Sequence, residues 1–356
     1  MEGLIVAKKS TLEPQKLLNY TAQQFPGIFR ELDEAQAASG LPVLASAYVS
    51  NSIGKKYKIP TAKAQEEIVP RVHALAAWAK NKSIYDFDAN IAEELIDSFD
   101  SAADLPVEAF DEMPYDGVYI SVRDTPIAFF ATKDREFTPT RDAVPSIKFY
   151  IPAQQRSLHL TLRRSTLERC MRADYMELMR ALDDPEVTAA LLLSYPHLDK
   201  EQYMRQVAET HRREYEANKI VLEHCLSLLL YLCSQNAEIE YTSPAPEEPE
   251  TEKEKAKAAI EFTKRVKSRT AQVGYRIGQA IRYHKQEEAR ERKKSGRTHT
   301  ATRTKVAAHV RRGHYHHFWQ GSRKDGTRKL ILKWVAPIFV NAGNADNMLP
   351  TIHRIK

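Results

Sequence analysis

The chain has 356 residues, 42% of them hydrophobic, and its 53 Lys and Arg exceed its 47 Asp and Glu by a net charge of +6. This hydrophobic share is enough for a buried core and excludes an intrinsically disordered protein. Apolar runs such as Leu226 to Leu232 are far shorter than the roughly 20 residues of a membrane helix, and the Met-Glu-Gly start lacks a signal-peptide pattern, so we expect a cytoplasmic protein without membrane attachment.

The first part of the chain, residues 1–100, predicts a helical N-terminal region. Gly40 stands where a helix would end, and Asn90 with Glu93 fits the capping box of a later amphipathic helix. Between them, one apolar helix face is formed by Ile68, Val72, Leu75 and Trp78.

Residues 101–241 predict an α+β middle domain with an antiparallel sheet. The helices are expected at Ser165 to Leu182 and Lys200 to Cys233, and a short closing strand at Ala237 to Tyr241. β-Branched and aromatic residues between turn signals predict a meander of four strands. These strands are Val118 to Val122, Pro126 to Thr132, Ile147 to Ile151 and Leu158 to Leu162.

A charged boundary follows the middle domain. Residues 242–258 hold three prolines and several glutamates with almost no hydrophobic residue, which predicts an extended acidic linker. Beyond it, residues 259–356 predict a basic module in which a helix from Ile260 to Lys294 precedes a β-hairpin turning at Ser322 to Gly326. The predicted fold class is therefore α+β, with helices first, a sheet with helices in the middle, and a C-terminal helix plus basic hairpin.

Positive charge is concentrated in this last module. From Phe262 to Trp334 there are 21 Lys and Arg against 4 Asp and Glu, which leaves 32 against 43 for the rest of the chain. A segment of charge +17 attached to a remainder of −11 is typical of a part that binds a polyanion such as nucleic acid.

The run from His309 to Gly321 carries the most chemical information. On a strand, alternate residues share a face, so Arg312, His314 and His316 should point opposite to their neighbours. Either face would combine cations with aromatic or imidazole rings. The candidate nucleic-acid-binding residues are His309, Arg311, Arg312, His314, Tyr315, His316, Trp319, Arg328, Lys329 and Lys333.

Three chemistries fit this run, beside a solvated strand whose Phe318 and Trp319 only fill a core. Guanidinium groups would hold phosphate while rings stack on the bases of single-stranded RNA. Alternatively, His314 and His316 would act as general base and acid on a phosphodiester, with Arg312 stabilising the transition state. In the third, the same histidines would bind a metal together with His309 or His299.

Other catalytic and cofactor signatures are missing from the sequence. Gly274 and Gly278 form an isolated G-x-x-x-G without a phosphate-binding loop, and no nucleophile elbow is present. Cys170, Cys225 and Cys233 are an odd number without metal-ligand spacing, so we expect reduced, buried thiols. The sequence thus predicts no cofactor and no metal, and it favours no intrinsic enzyme activity.

The run His309 to Gly321, with a basic strand ending at Trp334 and the tail Pro337 to Asn341, resembles the type V-A anti-CRISPR family that suppresses biosynthesis of its effector nuclease. Weaker similarity extends upstream. It covers Gln272 to Arg282, Leu228 to Tyr241, and the segment from Leu105 through Met113-Pro114 to Ile120.

The resemblance implies a mechanism and partners. It implies that the protein recognises the N-terminal segment of the nascent type V-A effector polypeptide during translation, in a bacterial host cell, and causes loss of the encoding mRNA. The α+β part would bind peptide, for example along a sheet edge, and the basic part would engage RNA or the ribosome. The alternatives are an RNA-binding protein or metal-independent RNase of a mobile genetic element, and a structural adaptor.

Overall fold

The computed structural model describes residues 13–57, 59, 67–102, 104–137, 143–182, 200–242, 267–295 and 309–340. A seven-stranded sheet lies between N-terminal helices on one face and later helices plus the C-terminal hairpin on the other. The predicted α+β class is confirmed.

The helices follow the apolar periodicity of the sequence. They are α1 (Pro14–Gln24), α2 (Ile28–Ser39), α3 (Ser46–Tyr57), α4 (Val69–Trp78), α5 (Ala89–Asp97), α6 (Leu167–Leu182), α7 (Lys200–Cys233) and α8 (Tyr275–Ser295). Two 3₁₀ turns follow α5, at Phe99–Ala102 and Val107–Glu112. Gly40 ends α2 in the left-handed conformation, with φ of 67°, which confirms the predicted stop.

Eleven strands are described. They are β1 (Ser83–Phe87), β2 (Gly117–Val122), β3 (Ala128–Phe137), β4 (Ala143–Ile151), β5 (Arg156–Thr161), β6 (Ile239–Tyr241), β7 (Arg269–Val273), β8 (His309–Arg311), β9 (His314–Gln320), β10 (Lys329–Val335) and β11 (Ile338–Val340). The large sheet has the order β5-β4-β3-β2-β1-β7-β6. The predicted meander β2 to β5 is antiparallel, whereas β1 runs parallel to both β2 and β7.

The N-terminal helices cover one face of the meander. The Trp78 ring lies 5.9 Å from that of Phe130, which in turn meets Tyr119 at 4.8 Å edge to face. Such aromatic pairs stabilise the fold beyond the effect of burying their apolar area. The predicted α4 face is confirmed, because Ile68, Val72, Leu75 and Trp78 are all buried.

On the opposite face, the C-terminal half of α7 lies at the centre of the larger core. All three cysteines are buried and free, as predicted. Burial raises the pKa of Cys233 to about 12, so this thiol stays protonated at neutral pH. Helices α5 and α8 and the hairpin pack around the same apolar cluster.

Two local predictions are wrong. The N-cap of α5 is Asp88, whose carboxylate accepts the Asn90 N–H at 2.8 Å, rather than Asn90 itself. The helix expected from Ile260 to Lys294 is not continuous, because Arg269–Val273 is strand β7, paired with β1 on one side and β6 on the other, and α8 begins at Tyr275.

The predicted linker falls mostly on residues 243–258, outside the described residues, so the division into domains stays a prediction. Strand β7, which follows it in the chain, nevertheless lies in the interior of the sheet. None of the helices in the described ranges is both long and apolar enough to cross a membrane.

Candidate functional site

The C-terminal motif forms two separate two-stranded sheets. Strands β9 and β10 pair antiparallel as the predicted hairpin, and β8 pairs with β11. The expected single strand from His309 to Trp319 is thus interrupted at Arg312-Gly313. A Cβ on Gly313 would lie 2.6 Å from Cζ2 of Trp334, so this approach requires glycine.

One face of the hairpin belongs to the core. Tyr315 and Trp334 lie opposite each other across the two strands and are both buried. The Tyr315 hydroxyl donates to the carbonyl of Ser227 at 2.7 Å, and the Trp334 ring meets Tyr231 edge to face at 5.6 Å. Tyr315, a predicted nucleic-acid-binding residue, therefore packs against α7.

Backbone contacts fix strand β10 to the turn after α7. The Asn236 side chain donates to the Trp334 carbonyl at 2.8 Å and accepts the Trp334 N–H at 3.0 Å. The Gln235 N–H also donates to the carbonyl of Leu332 at 2.8 Å. Because a free strand edge is satisfied in this way, the hairpin is held in one position on the body of the protein.

The outer face of the hairpin carries rings and cations. His314, His316 and Phe318 follow each other at alternate positions and are exposed. The His316 and Phe318 rings are 6.1 Å apart, and Nζ of Lys333 lies 5.5 Å from the Phe318 centroid. We call these four residues together with Arg312, which is also exposed, the outer face.

At the hairpin tip, the Arg328 guanidinium lies 4.2 Å from the ring of Trp319, which is 38% exposed. Gly321 begins the turn with φ of 87°, and a Cβ there would meet the Thr327 carbonyl oxygen at 2.3 Å. Lys329 forms an ion pair with Glu112 at 3.0 Å. The tip thus presents an aromatic ring beside cations on the side opposite to Phe318.

The structure brings together six of the predicted site residues in two neighbouring groups. Four of them, Arg312, His314, His316 and Lys333, belong to the outer face, and Trp319 and Arg328 lie at the tip. His309 and Arg311 lie on β8, with side chains outside the described part of the structure. Phe318 was not among the predicted binding residues. Its position two residues after His316, which places both side chains on one face of the strand, could have identified it.

The catalytic and metal hypotheses depend on these same imidazoles. No hydrogen bond among the described side chains orients His314 or His316 towards a carboxylate, which is the usual partner of a catalytic histidine. Within the described ranges, no three His, Cys, Asp or Glu side chains are grouped closely enough to hold a metal ion. His299, the further ligand considered, lies outside those ranges.

A second polar cluster, which the sequence did not predict, lies where the parallel strands end. The Asp86 carboxylate accepts from both Nε and Nη2 of Arg123, at 3.1 and 2.9 Å, and from the Tyr275 hydroxyl at 2.8 Å. Burial, together with the hydrogen bond to Asp86, raises the pKa of Tyr275. The sequence contained no signal for this cluster, because strand β1, which carries Asp86, was itself not predicted.

Neighbouring carboxylates occupy the two helix N-termini at this edge. Glu238 accepts the backbone N–H groups of Arg276 and Ile277, at 3.0 and 3.2 Å, and so caps α8. Asp88 caps α5 and pairs with Arg282 at 3.0 Å. Helix N-termini attract anions, but here both positions are filled by side chains of the protein itself. The cluster therefore connects strands and helices of the fold and is not a phosphate site.

Comparison with known proteins identifies the family. The family model described as "AcrVA2-like: Anti-CRISPR type V subtype A2 family" matches residues 85–342, more than two thirds of the chain. The protein belongs to the AcrVA2-like family. This confirms the resemblance seen in the hairpin motif. A member of this family is a type V-A anti-CRISPR protein, and it acts in the conflict between bacteria and their viruses.

A solved structure supports the fold. The crystal structure of AcrVA2 superposes with a TM-score of 0.53 and covers 91% of this chain and 97% of its own. Its sequence is 16% identical, so the likeness concerns the fold alone. None of the curated proteins matches this sequence. The family match begins within β1 and covers strands β2 to β11, including the hairpin, whereas α1 to α4 precede it.

Proposed function

We propose that this AcrVA2-like protein represses expression of a type V-A CRISPR effector nuclease in the cytoplasm of the bacterial host. It recognises the N-terminal segment of the effector polypeptide during translation and promotes loss of the encoding mRNA. The observation that carries the RNA side of this proposal is the outer face, where exposed rings lie beside cations on a hairpin fixed to the core.

The outer face has the chemistry of a single-stranded RNA platform. The rings of His316 and Phe318, with centroids 6.1 Å apart, are exposed at alternate strand positions and offer faces on which splayed bases can stack. Lys333 and Arg312 are available for phosphate, and Trp319 with Arg328 extends the surface around the tip. Base stacking of this kind tolerates sequence variation, as a contact to any translated message requires.

The peptide side of the proposal belongs to the α+β part. The two functions are separate in sequence and in charge, since the cations concentrate after Phe262 and the rest of the chain is acidic overall. A polyanion would be held by the basic region, while sheet edges elsewhere offer backbone groups to an extended peptide. Peptide binding to the C-terminal hairpin would contradict this division.

The test is co-expression in a bacterium with a tagged type V-A effector, following effector mRNA and protein. We expect wild-type protein to deplete both, and the variant Arg312→Ala/His314→Ala/Lys333→Ala to deplete neither. The matched control, Lys16→Ala/Arg30→Ala, removes two exposed cations from the N-terminal helices and should act as wild type. An effector transcript that stays constant with wild-type protein would refute the proposed mechanism.

An intrinsic RNase is the second candidate, favoured by the position of His314 and His316 on the same exposed face. In that case, His314→Ala or His316→Ala should abolish cleavage of a purified RNA while its affinity persists. A binding surface should instead lose affinity in a salt-dependent manner when Arg312 and Lys333 are neutralised.

A further inference from the structure

One edge of the large sheet, formed by strand β5, offers an interaction surface. Strand β5 is the last strand on its side, and within the described residues it pairs only with β4. Side chains of β5 alternate, with Leu158 and Leu160 in the core and Ser157 and His159 exposed. An edge strand of this kind presents backbone groups to solvent.

Two hydrogen bonds show which backbone groups point outward. The N–H of Leu162 donates inward to the carbonyl of Pro145, near the start of β4, at 2.8 Å. The N–H of Thr161 instead donates to the Asp174 carboxylate at 3.0 Å. Because backbone direction alternates along an antiparallel strand, Ser157 and His159 point outward like Thr161. Their N–H and C=O groups can form up to four hydrogen bonds with an added strand. The next outward N–H, that of Thr161, is already bound by Asp174.

A cleft of about 190 Å³ lies beside these two residues, between helix α4 and strands β4 and β5. Ser157 and His159 form its rim, and Val69, Pro70 and Ala74 of α4 form an apolar wall. Its volume is below the roughly 300–1,000 Å³ of small-molecule sites. The cleft therefore suits one side chain better than a complete ligand.

The polar groups at the bottom of the cleft are already paired. His73 donates from Nε2 to the Leu44 carbonyl at 2.9 Å, and burial lowers the pKa of this imidazole so that it is neutral at neutral pH. Lys148 contacts the carboxylate of Asp134 at 2.8 Å and the hydroxyl of Ser46 at 2.9 Å. Since these groups need no further partner, the free part of the cleft favours an apolar or small side chain.

Basic side chains predominate along β5, while the nearby carboxylates of Asp174 and Glu177 on α6 already have partners. From Arg156 to Arg164 there are three arginines and His159, and no acidic residue. Arg163 pairs with Glu177, whereas Arg164 is exposed. The ends of the edge thus complement acidic side chains on an added strand.

We propose that the β5 edge and the adjacent cleft form a docking site for an extended acidic peptide, which adds to the sheet as an eighth strand and places one apolar side chain in the cleft. This rests on the proposed function, in which the peptide is the N-terminal segment of the effector. Main-chain hydrogen bonds supply the affinity and the cleft supplies the selectivity.

The experiment uses the full-length protein and a fluorescent synthetic peptide of the effector N-terminus, with binding followed by anisotropy. Ser157→Pro removes one outward N–H and places a ring on the edge, and proline is tolerated where an edge N–H faces solvent. We expect affinity to fall roughly 10-fold or more, as the loss of one to two hydrogen bonds requires. The control Ser157→Ala keeps the N–H and should bind within roughly 2-fold of wild type.

Amide hydrogen exchange on the wild-type protein tests the site without any substitution. Peptide should slow exchange at Ser157 and His159, and leave the hairpin amides of His314 and His316 unchanged. Full binding by Ser157→Pro, protection confined to the hairpin, or no binding of peptide by wild type would each overturn the docking site. A dimer that Ser157→Pro dissociates would also overturn it, by assigning the edge to a second copy.

The effector transcript separates this inference from the proposed function. If wild-type protein depletes the mRNA while the β5 edge does not bind peptide, the docking site is wrong and the repression stands. If the transcript is untouched although Ser157→Pro abolishes peptide binding, the docking site stands and the repression is wrong.

Discussion

The two faces of the hairpin are made of the same kinds of residue and have opposite roles. Tyr315 and Trp334 point into the core and hold the hairpin against α7, whereas His314 and His316 point outward and contact solvent. Strand alternation alone separates the two sets. The type of a residue in this motif therefore does not show whether it lies in the core or in solvent. Its odd or even position along β9 or β10 does.

The largest effect is expected from the core face. Trp334→Ala removes a ring that is 1% exposed and in contact with Tyr231, so the free energy of unfolding should fall by about 3–5 kcal/mol. Urea denaturation followed by circular dichroism measures this. The outer-face counterpart Phe318→Ala, at 40% exposure, should cost less than about 1 kcal/mol. Equal losses for the two variants would contradict the assignment of the faces.

Gly313→Ala tests the contact between the hairpin and Trp334 in the opposite sense, by adding an atom. The new Cβ meets the indole at 2.6 Å, so overpacking should cost about 1–3 kcal/mol. Gly54 in α3 is the control, since nothing lies within 4 Å of a Cβ there. Gly54→Ala should stabilise the protein by up to about 1 kcal/mol in the same urea titration. A neutral Gly313→Ala would mean that β9 can shift away from Trp334.

Tyr315→Phe isolates one hydrogen bond on the core face. The ring keeps its packing, but the Ser227 carbonyl loses its donor at 2.7 Å, so we expect a loss of about 1 kcal/mol in thermal or urea unfolding. Tyr283→Phe, at a ring that is 56% exposed on α8, provides the matched control and should change nothing measurable. A loss of RNA affinity without loss of stability would return Tyr315 to the binding surface.

The smallest change in stability should come from the outer face itself. Arg312→Ala/Lys333→Ala should leave the free energy of unfolding within about 0.5 kcal/mol of wild type. The affinity for single-stranded RNA should fall, and the slope of log K against log salt should become shallower by about 1.4, or 0.7 for each lost phosphate contact. Unchanged slopes would exclude phosphate as the partner of these two cations.

Local patterns predicted those elements that bury a continuous apolar face. The meander β2 to β5 and helix α7 combine such faces with clear turn signals, and both lie where the sequence placed them. Strands β1 and β7 were missed because each has five residues and a mixed pattern, Ser-Ile-Tyr-Asp-Phe and Arg-Thr-Ala-Gln-Val. They are strands because neighbours pair with them on both sides, which is a tertiary effect that no short window contains.

The residues of the candidate site were predicted from the sequence, but only part of their arrangement was. The turn and the alternation of His314 and His316 followed from the sequence, and they are confirmed. Which face is buried did not follow, because both faces combine rings with cations. Trp334, 21 residues after Gly313, decides it through its contact with that glycine. The interruption at Arg312-Gly313 has the same cause.

The position of β7 in the chain also determines when the large sheet can be completed during synthesis on the ribosome. Strand β1 ends at Phe87, yet its partner on one side begins at Arg269, about 180 residues later. At about 5–20 residues per second, one edge of β1 waits roughly 10–35 s for that partner. A product that stops before Arg269 would have one unpaired edge on β1, and β6 would lack the strand with which it pairs. A protein proposed to act on nascent chains thus depends, for its own folding, on nearly complete synthesis.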